Sequence, residues 1–228
     1  MRIRFSLRTF LIAVSLIGVG LWLGNSVLNF VLAMRAQQYL KSRGIFVGGW
    51  NSNEIQWWHY FTERDDCCVG SNSTRLTTVD WRQIQILGRI RELVVAGNEC
   101  SSPEFHACLR RNRHTLRELF VAHCELTPQL GTAIGNCPQL EKIVFRNVRE
   151  GRESFAIQTI PQLQTLLFAE SKVGDSNLQW IAHQPILAKL RLPKGAGDSV
   201  VESLIGCAVT STSWMHRHRR SPSQECAA

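Results

Sequence analysis

Leu116-Arg117-Glu118-Leu119-Phe120-Val121-Ala122-His123-Cys124-Glu125-Leu126 is the stretch on which the fold turns. It reads L-x-x-L-x-V-x-x-C-x-L, so Leu119 and Val121 share one face of a short strand while Glu118, Phe120 and Ala122 share the other. Its first six positions recur as Ile90-x-x-Leu93-x-Val95, Leu140-x-x-Ile143-x-Phe145, Leu163-x-x-Leu166-x-Phe168 and Leu187-x-x-Leu190-x-Leu192. The five copies begin 26, 24, 23 and 24 residues apart. One such frame can arise by chance. Five in register define a structural repeat, a unit too small to bury its own apolar face unless it stacks on its neighbours.

The segments between frames have a different period. Phe105 and Leu109, then Leu130, Ile134 and Cys137, then Leu178 and Ile181, then Val201, Leu204 and Ile205 recur at the three- and four-residue spacings of one helical face. Ser102-Pro103 and Thr127-Pro128 set a capping side chain before a proline, which is helix-start chemistry. Asp175 and Asp198 are expected to cap in the same way. The third segment, Glu150–Ile160, has no such cap, and an irregular path is expected there. Each repeat is thus read as a strand followed by a helix.

Residues 90–207 resemble leucine-rich repeats, in particular the bacterial kind whose helix opens with an Asp-containing turn, as in Val173-Gly174-Asp175-Ser176-x-Leu178-x-x-Ile181. The opening Arg4-Phe5-Ser6-Leu7-Arg8-Thr9-Phe10-Leu11 is similar to the membrane-anchor start of planctomycete-type proteins carrying such repeats. The two likenesses cover more than half of the chain. They imply an α/β fold: a leucine-rich-repeat solenoid, with a curved parallel sheet and convex helices, preceded by one N-terminal transmembrane helix. They imply binding or scaffolding rather than catalysis. The pattern departs from the family at Val148 and Gly195, where Asn or Cys is the rule. No closing cap is recognisable after Cys207.

The anchor reading has its own basis. No charge occurs among the 26 residues between Arg8 and Arg35, and about 20 apolar residues suffice to cross the hydrocarbon core. Arg2, Arg4 and Arg8 precede the span, which places the N-terminus inside and the C-terminal domain outside the cytoplasm. Arg35, Lys41 and Arg43 follow it and weaken that bias. A cleaved signal peptide would have a shorter apolar core and a small-x-small site, which Leu32–Ala36 does not offer.

Charge bears on function. The chain carries 26 basic and 18 acidic residues. Residues 1–43 hold six of the basic ones and no acid, and residues 208–228 hold three against Glu225, leaving 17 of each sign in 44–207. A nucleic-acid-binding domain carries its charge on the fold itself, so nucleic acid is not an expected partner. The organisation expected is a cytoplasmic N-terminus (1–9), a transmembrane helix (10–32), a juxtamembrane helix and N-terminal cap (33–88), five repeats (89–207) and a disordered basic tail (208–228). Asp80–Leu87 reads as the helix of a partial leading repeat. Trp50, Trp57, Trp58, Tyr60, Phe61 and Trp81 fit either an interfacial aromatic belt or, the favoured reading, a cap over the first repeat.

Catalytic and metal chemistry find little support. Gly174-Asp175-Ser176 resembles the serine motif of one hydrolase family, but Gly197-Asp198-Ser199 repeats it at the same register, as a structural turn would and a nucleophile would not. Among eight cysteines only Cys67-Cys68 is tight, and adjacent cysteines chelate poorly. Cys100, His106 and Cys108 share a repeat, yet Cys108 lies on the apolar helix face. Were the domain exported, Cys67 or Cys68 would be the first candidates for a disulfide. His216–Arg220 reads as a solvated charge run. No catalytic residue, metal ligand or cofactor is expected.

Binding is the favoured reading. With the frame residues turned inward, those between them line the concave sheet as Val94, Phe120, Val144, Leu167 and Arg191 in one column. Glu92, Glu118, Lys142, Thr165 and Lys189 form a second, and Ala96, Ala122, Arg146, Ala169 and Pro193 a third. An apolar stripe between charges of both signs suits a protein or peptide partner, and five strands make a sheet ~20–25 Å wide. The candidate contacts are Val94, Phe120, Val144, Leu167, Glu118, Lys142 and Arg146. Two other readings are a degenerate or truncated structural array, and a polyanion or membrane-surface binder acting through the basic flanks.

Overall fold

A run of Leu, Val, Ile and Phe without proline builds the first element, α1 (Leu7–Ser42), a single helix of 36 residues. The computed structural model describes residues 7–49, 67–70, 76–194 and 196–197. The chain is α/β, with a mostly parallel sheet and this apolar helix at its N-terminus. It divides into two units, residues 1–93 and 94–228. The expected aromatic segment (Trp50, Trp57, Trp58, Tyr60, Phe61), the helix from Asp198 to Gly206 and the tail 208–228 lie outside the described residues.

In the first unit, α1 changes character along its length. Large apolar side chains from Phe10 to Leu32 are exposed, whereas Ala33, Ala36, Gln37 and Leu40 are buried. Phe10–Ser42 contains an 18-residue stretch of mean hydropathy 2.0, long and apolar enough to cross a membrane. Within it Ser26 Oγ donates to the Trp22 carbonyl at 2.9 Å, so that hydroxyl is satisfied by its own helix. At the far end the Ile45 N–H donates back to the Leu40 carbonyl at 2.9 Å, closing the helix.

Sequence pattern marks Gly44–Gly49 only as a break. In the structure Phe46–Gly49 is a strand, β1, paired antiparallel with β2 (Cys67–Gly70), Val47 facing Val69. Both valines are buried, which is what draws so glycine-rich a stretch into a ladder. The expected helix near Asp80 is present as α2 (Thr78–Ile86). Thr77 and Asp80 form a reciprocal capping box at its start. The Arg43 guanidinium reaches Asp80 at 3.5 Å, tying the end of α1 to the cap of α2. Trp81 and Ile84, one turn apart, are buried in the same unit as Leu40.

The frames of the repeat are strands. The unit boundary falls inside β3 (Ile90–Ala96), on which Ile90, Leu93 and Val95 are buried. Within the second unit β4 (Glu118–Ala122), β6 (Lys142–Arg146), β8 (Thr165–Ala169) and β9 (Lys189–Arg191) pair in parallel in that order. Two further short strands, β5 (Glu125–Leu126) and β7 (Arg149–Glu150), pair in parallel as a second ladder. Frame residues Leu119, Val121, Ile143, Phe145, Leu166 and Phe168 are buried at 0–1% exposure. Leu187, Leu190 and Leu192 of the fifth frame are only half-buried.

On leaving the strand the backbone makes a left-handed turn at the same register after each of the first four frames: Gly97 (φ 76°), His123 (φ 54°), Asn147 (φ 49°) and Glu170 (φ 55°). Glycine and asparagine tolerate that region, and His and Glu are held there by their neighbours. The His123 and Asn147 N–H groups donate to the carbonyls of Arg146 and Ala169 on the next strand.

Beyond the strands the two capped helices form as expected, α3 (Pro103–Asn112) under Ser102 and α4 (Pro128–Gly135) under Thr127. The segment after β7 is irregular. Its buried N–H groups are served from the next repeat, Phe155 by Asn177 Oδ1 at 2.6 Å and Ile160 by Gln184 Oε1 at 2.9 Å. Asp175 departs from expectation. It starts a 3-10 turn (Asp175–Asn177) with no side-chain cap, followed by another at Gln179–His183. Its carboxylate instead accepts the Gly197 N–H at 2.8 Å. With Leu178 and Ile181 buried and Asn177 and Gln184 committed to the preceding segment, tertiary demand overrides the helical period.

Candidate functional site

Strand alternation and register together build one face. Phe120 pairs with Val144, Val144 with Leu167, and Leu167 with Arg191, so the middle column expected from the sequence is a row of cross-strand neighbours. Glu118, Lys142, Thr165 and Lys189 form the adjoining row, and Ala122, Arg146 and Ala169 the third. Opposite partners in parallel strands fall at the frame positions because each frame is one strand long and equally placed in its repeat. Phe120, Val144 and Leu167 are half-buried, and Arg146 and Arg191 exposed. Val94 is half-buried on β3.

The opposite side of the strands is closed. Phe145 stacks on Phe168 with ring centroids 5.0 Å apart, meets Phe155 edge-on at 6.0 Å, and Phe155 in turn meets Trp180 at 6.1 Å. Aromatic pairs of this kind fix the spacing between strands and the layer behind them. The polar face is therefore carried on a packed support.

Charges on the face are largely matched between neighbouring strands. Lys142 Nζ lies 2.7 Å from Glu118 Oε2 and 4.8 Å from the centre of the Phe120 ring. The cation thus bridges a carboxylate and an aromatic face, and lies over Phe120, one of the expected apolar contacts. Arg146 Nε is 3.8 Å from Glu170, beside the left-handed turn. Arg117 pairs with Glu141 at 2.6 Å at the start of the same strands. Exposed pairs of this type contribute about 0–1 kcal/mol each, so they set charge pattern and register more than stability.

The chemistry-bearing residues elsewhere are built into packing. Cys68, Cys100, Cys108, Cys124 and Cys137 are buried, and the last four are thiols. Burial pushes the Cys108 and Cys137 thiols up to about 12. The thiol of Cys100 is held protonated chiefly by its hydrogen bond with Cys124, and by burial. His106 turns its Nε2 to the carbonyl of Cys100, 3.2 Å away, rather than to a thiol. Its burial favours the neutral ring. Ser176 of the Gly-Asp-Ser turn is exposed, while Asp175 is bound to the Gly197 backbone. Among the described residues no group of three or more His, Cys, Asp and Glu side chains is gathered as metal ligands would be.

Sequence reasoning missed Ser171, which stands where Cys124 stands in its own repeat. Its hydroxyl donates to the Ala169 carbonyl at 3.0 Å and accepts from the Val148 N–H at 3.3 Å. The signal was available, since position 171 is eight residues into the fourth frame, as Cys124 is into the second. Asn177 and Gln184 were missed as well, and nothing in a single repeat marks them. They serve a neighbour. No protein-family model, no curated protein and no solved structure matches this chain, so the reading of the face rests on its own residues.

Proposed function

We propose that this chain is a membrane-tethered leucine-rich-repeat scaffold that recognises a protein or peptide on the concave face of its sheet. In this reading α1 crosses the bilayer, Arg2, Arg4 and Arg8 stay on the cytoplasmic side, and the repeats stand outside the cytoplasm. The observation that carries it is the half-exposed apolar row Phe120–Val144–Leu167, held in register over three paired strands and flanked by charged rows. An apolar strip rimmed by polar side chains is the anatomy of a recognition surface. A frame that repeats five times supplies rigidity, and among the described residues the face gathers paired charges and apolar groups, so binding rather than catalysis is the role proposed.

The test is Phe120→Glu in the full chain, read as affinity for a partner captured by cross-linking. Lys142 can pair with the new carboxylate as it does with Glu118, so the variant keeps the fold and its circular dichroism. Loss of a central aromatic anchor costs about 2 kcal/mol or more, about 30-fold in affinity. Unchanged affinity refutes the reading.

A further inference from the structure

The face is not electrically uniform, and its asymmetry points to the kind of partner it fits. On β4 and β6 every open-face cation has a carboxylate: Lys142 has Glu118 and Arg146 has Glu170. On the other side of the row the matching ends. Lys189 stands opposite Thr165 and Arg191 opposite Leu167, and the open-face residues of β8 (Thr165, Leu167, Ala169) carry no charge at all. Both cations are exposed, and among the described residues neither is in an ion pair. Lys194, three residues on and also exposed, has the same sign. Among the described residues the nearest carboxylate along the chain, Asp175, is engaged with the Gly197 N–H.

We infer that the partner of this face is an extended protein segment whose apolar side chains are followed by acidic ones, with its apolar groups on Val144 and Leu167 and its carboxylates on Lys189 and Arg191. The inference rests on the proposed binding role of the same face. Only every second side chain of an extended ligand faces the site, so its apolar and acidic groups occupy successive stretches, the first over β6 and β8 and the second over β9. The cations at one end also give the ligand a direction, since its acidic end is attracted at β9 and meets already paired charges at β4 and β6. Two cations beside an apolar strip are a poor match for a phosphate chain, which needs a run of them and offers nothing for Leu167 to touch.

The experiment uses the full chain in detergent micelles and three fluorescent probes: a ten-residue Leu/Glu peptide with its Leu residues in the first half and its Glu residues in the second, its Leu/Lys counterpart, and a ten-nucleotide single-stranded DNA. Anisotropy is expected to show binding of the Leu/Glu peptide and none of the Leu/Lys peptide. Lys189→Glu with Arg191→Glu should weaken the first at least tenfold and create binding of the second. That charge swap separates recognition from damage to the fold. Equal binding of both peptides, removed by Phe120→Glu, would overturn the acidic partner while leaving the binding face standing. Absence of Leu/Glu binding would overturn it too, with the face itself still judged by the cross-linked partner. DNA binding as tight as the peptide's, lost on raising ionic strength, would replace it with a polyanion site.

Discussion

Replacing Gly131 with Ala sets two effects against each other that the sequence alone would rank wrongly. Gly131 is inside α4, an exposed-looking helix position at which Ala is favoured over Gly by about 0.5–1 kcal/mol. In the structure that glycine is buried, and a Cβ built on it falls on the carbonyl oxygen of Ala156, inside van der Waals contact, and 3.3 Å from the Phe155 ring. The clash is with backbone, and that backbone is pinned because the Phe155 N–H is bound to Asn177 Oδ1 at 2.6 Å. Relief requires α4 and residues 155–157 to separate, which loosens the buried Phe155 side chain and its contacts with Phe145 and Trp180. Overpacking of this kind costs about 1–3 kcal/mol, occasionally more. The balance is a net loss of about 1–2 kcal/mol, a fall in Tm of roughly 2–8 °C for a chain of this size. Thermal melts of the full chain in detergent, followed by circular dichroism, measure it against Gln129→Ala, an exposed position on the same helix that should be neutral. A Tm unchanged or raised by Gly131→Ala would show that α4 does not approach Ala156 closely, and the packing argument would fail.

Three further outcomes follow from the polar groups. Burial raises the Asp80 carboxyl, but the Thr77 N–H and hydroxyl and the Arg43 guanidinium outweigh it and hold it below the usual 3.8. Its stabilisation is therefore full above about pH 4 and is lost as the pH falls through the lowered value. Asp80→Asn should cost about 1 kcal/mol at neutral pH and flatten the acid limb of the melting curve, and an acid limb identical to the parent's would refute it. The thiols of Cys108 and Cys137, pushed up to about 12, add stability that is present below about pH 9, where the unfolded thiols are still protonated, and is lost as the pH rises toward 12. Alkylation read by mass spectrometry at pH 8 should be ~1000-fold slower at these two sites than in the unfolded chain, and rates within tenfold of each other would sink the point. Asn177→Ala strands the buried Phe155 N–H and should cost about 1–3 kcal/mol by urea melt. Equal stability of that variant would mean that another acceptor reaches Phe155.

What the sequence determined by itself follows from periods. Alternation within each six-residue frame decides which side chains are buried, and equal spacing of frames decides which residues meet across strands. Hence the columns Phe120–Val144–Leu167–Arg191 and Glu118–Lys142–Thr165–Lys189 were legible before any coordinates, as were the caps at Ser102 and Thr127 and the apolar run of α1. These are local or strictly periodic facts, fixed by backbone geometry. Tertiary structure alone decided what is neither. Asp175 gives its carboxylate to Gly197 instead of its own turn, Asn177 and Gln184 satisfy an irregular segment more than twenty residues away, and Gly131 admits the Ala156 carbonyl. Lys142 leans over Phe120 to reach Glu118, while among the described residues Lys189 and Arg191 have no such carboxylate. Such pairings depend on which groups three-dimensional packing leaves wanting a partner, a quantity that no repeat read singly contains.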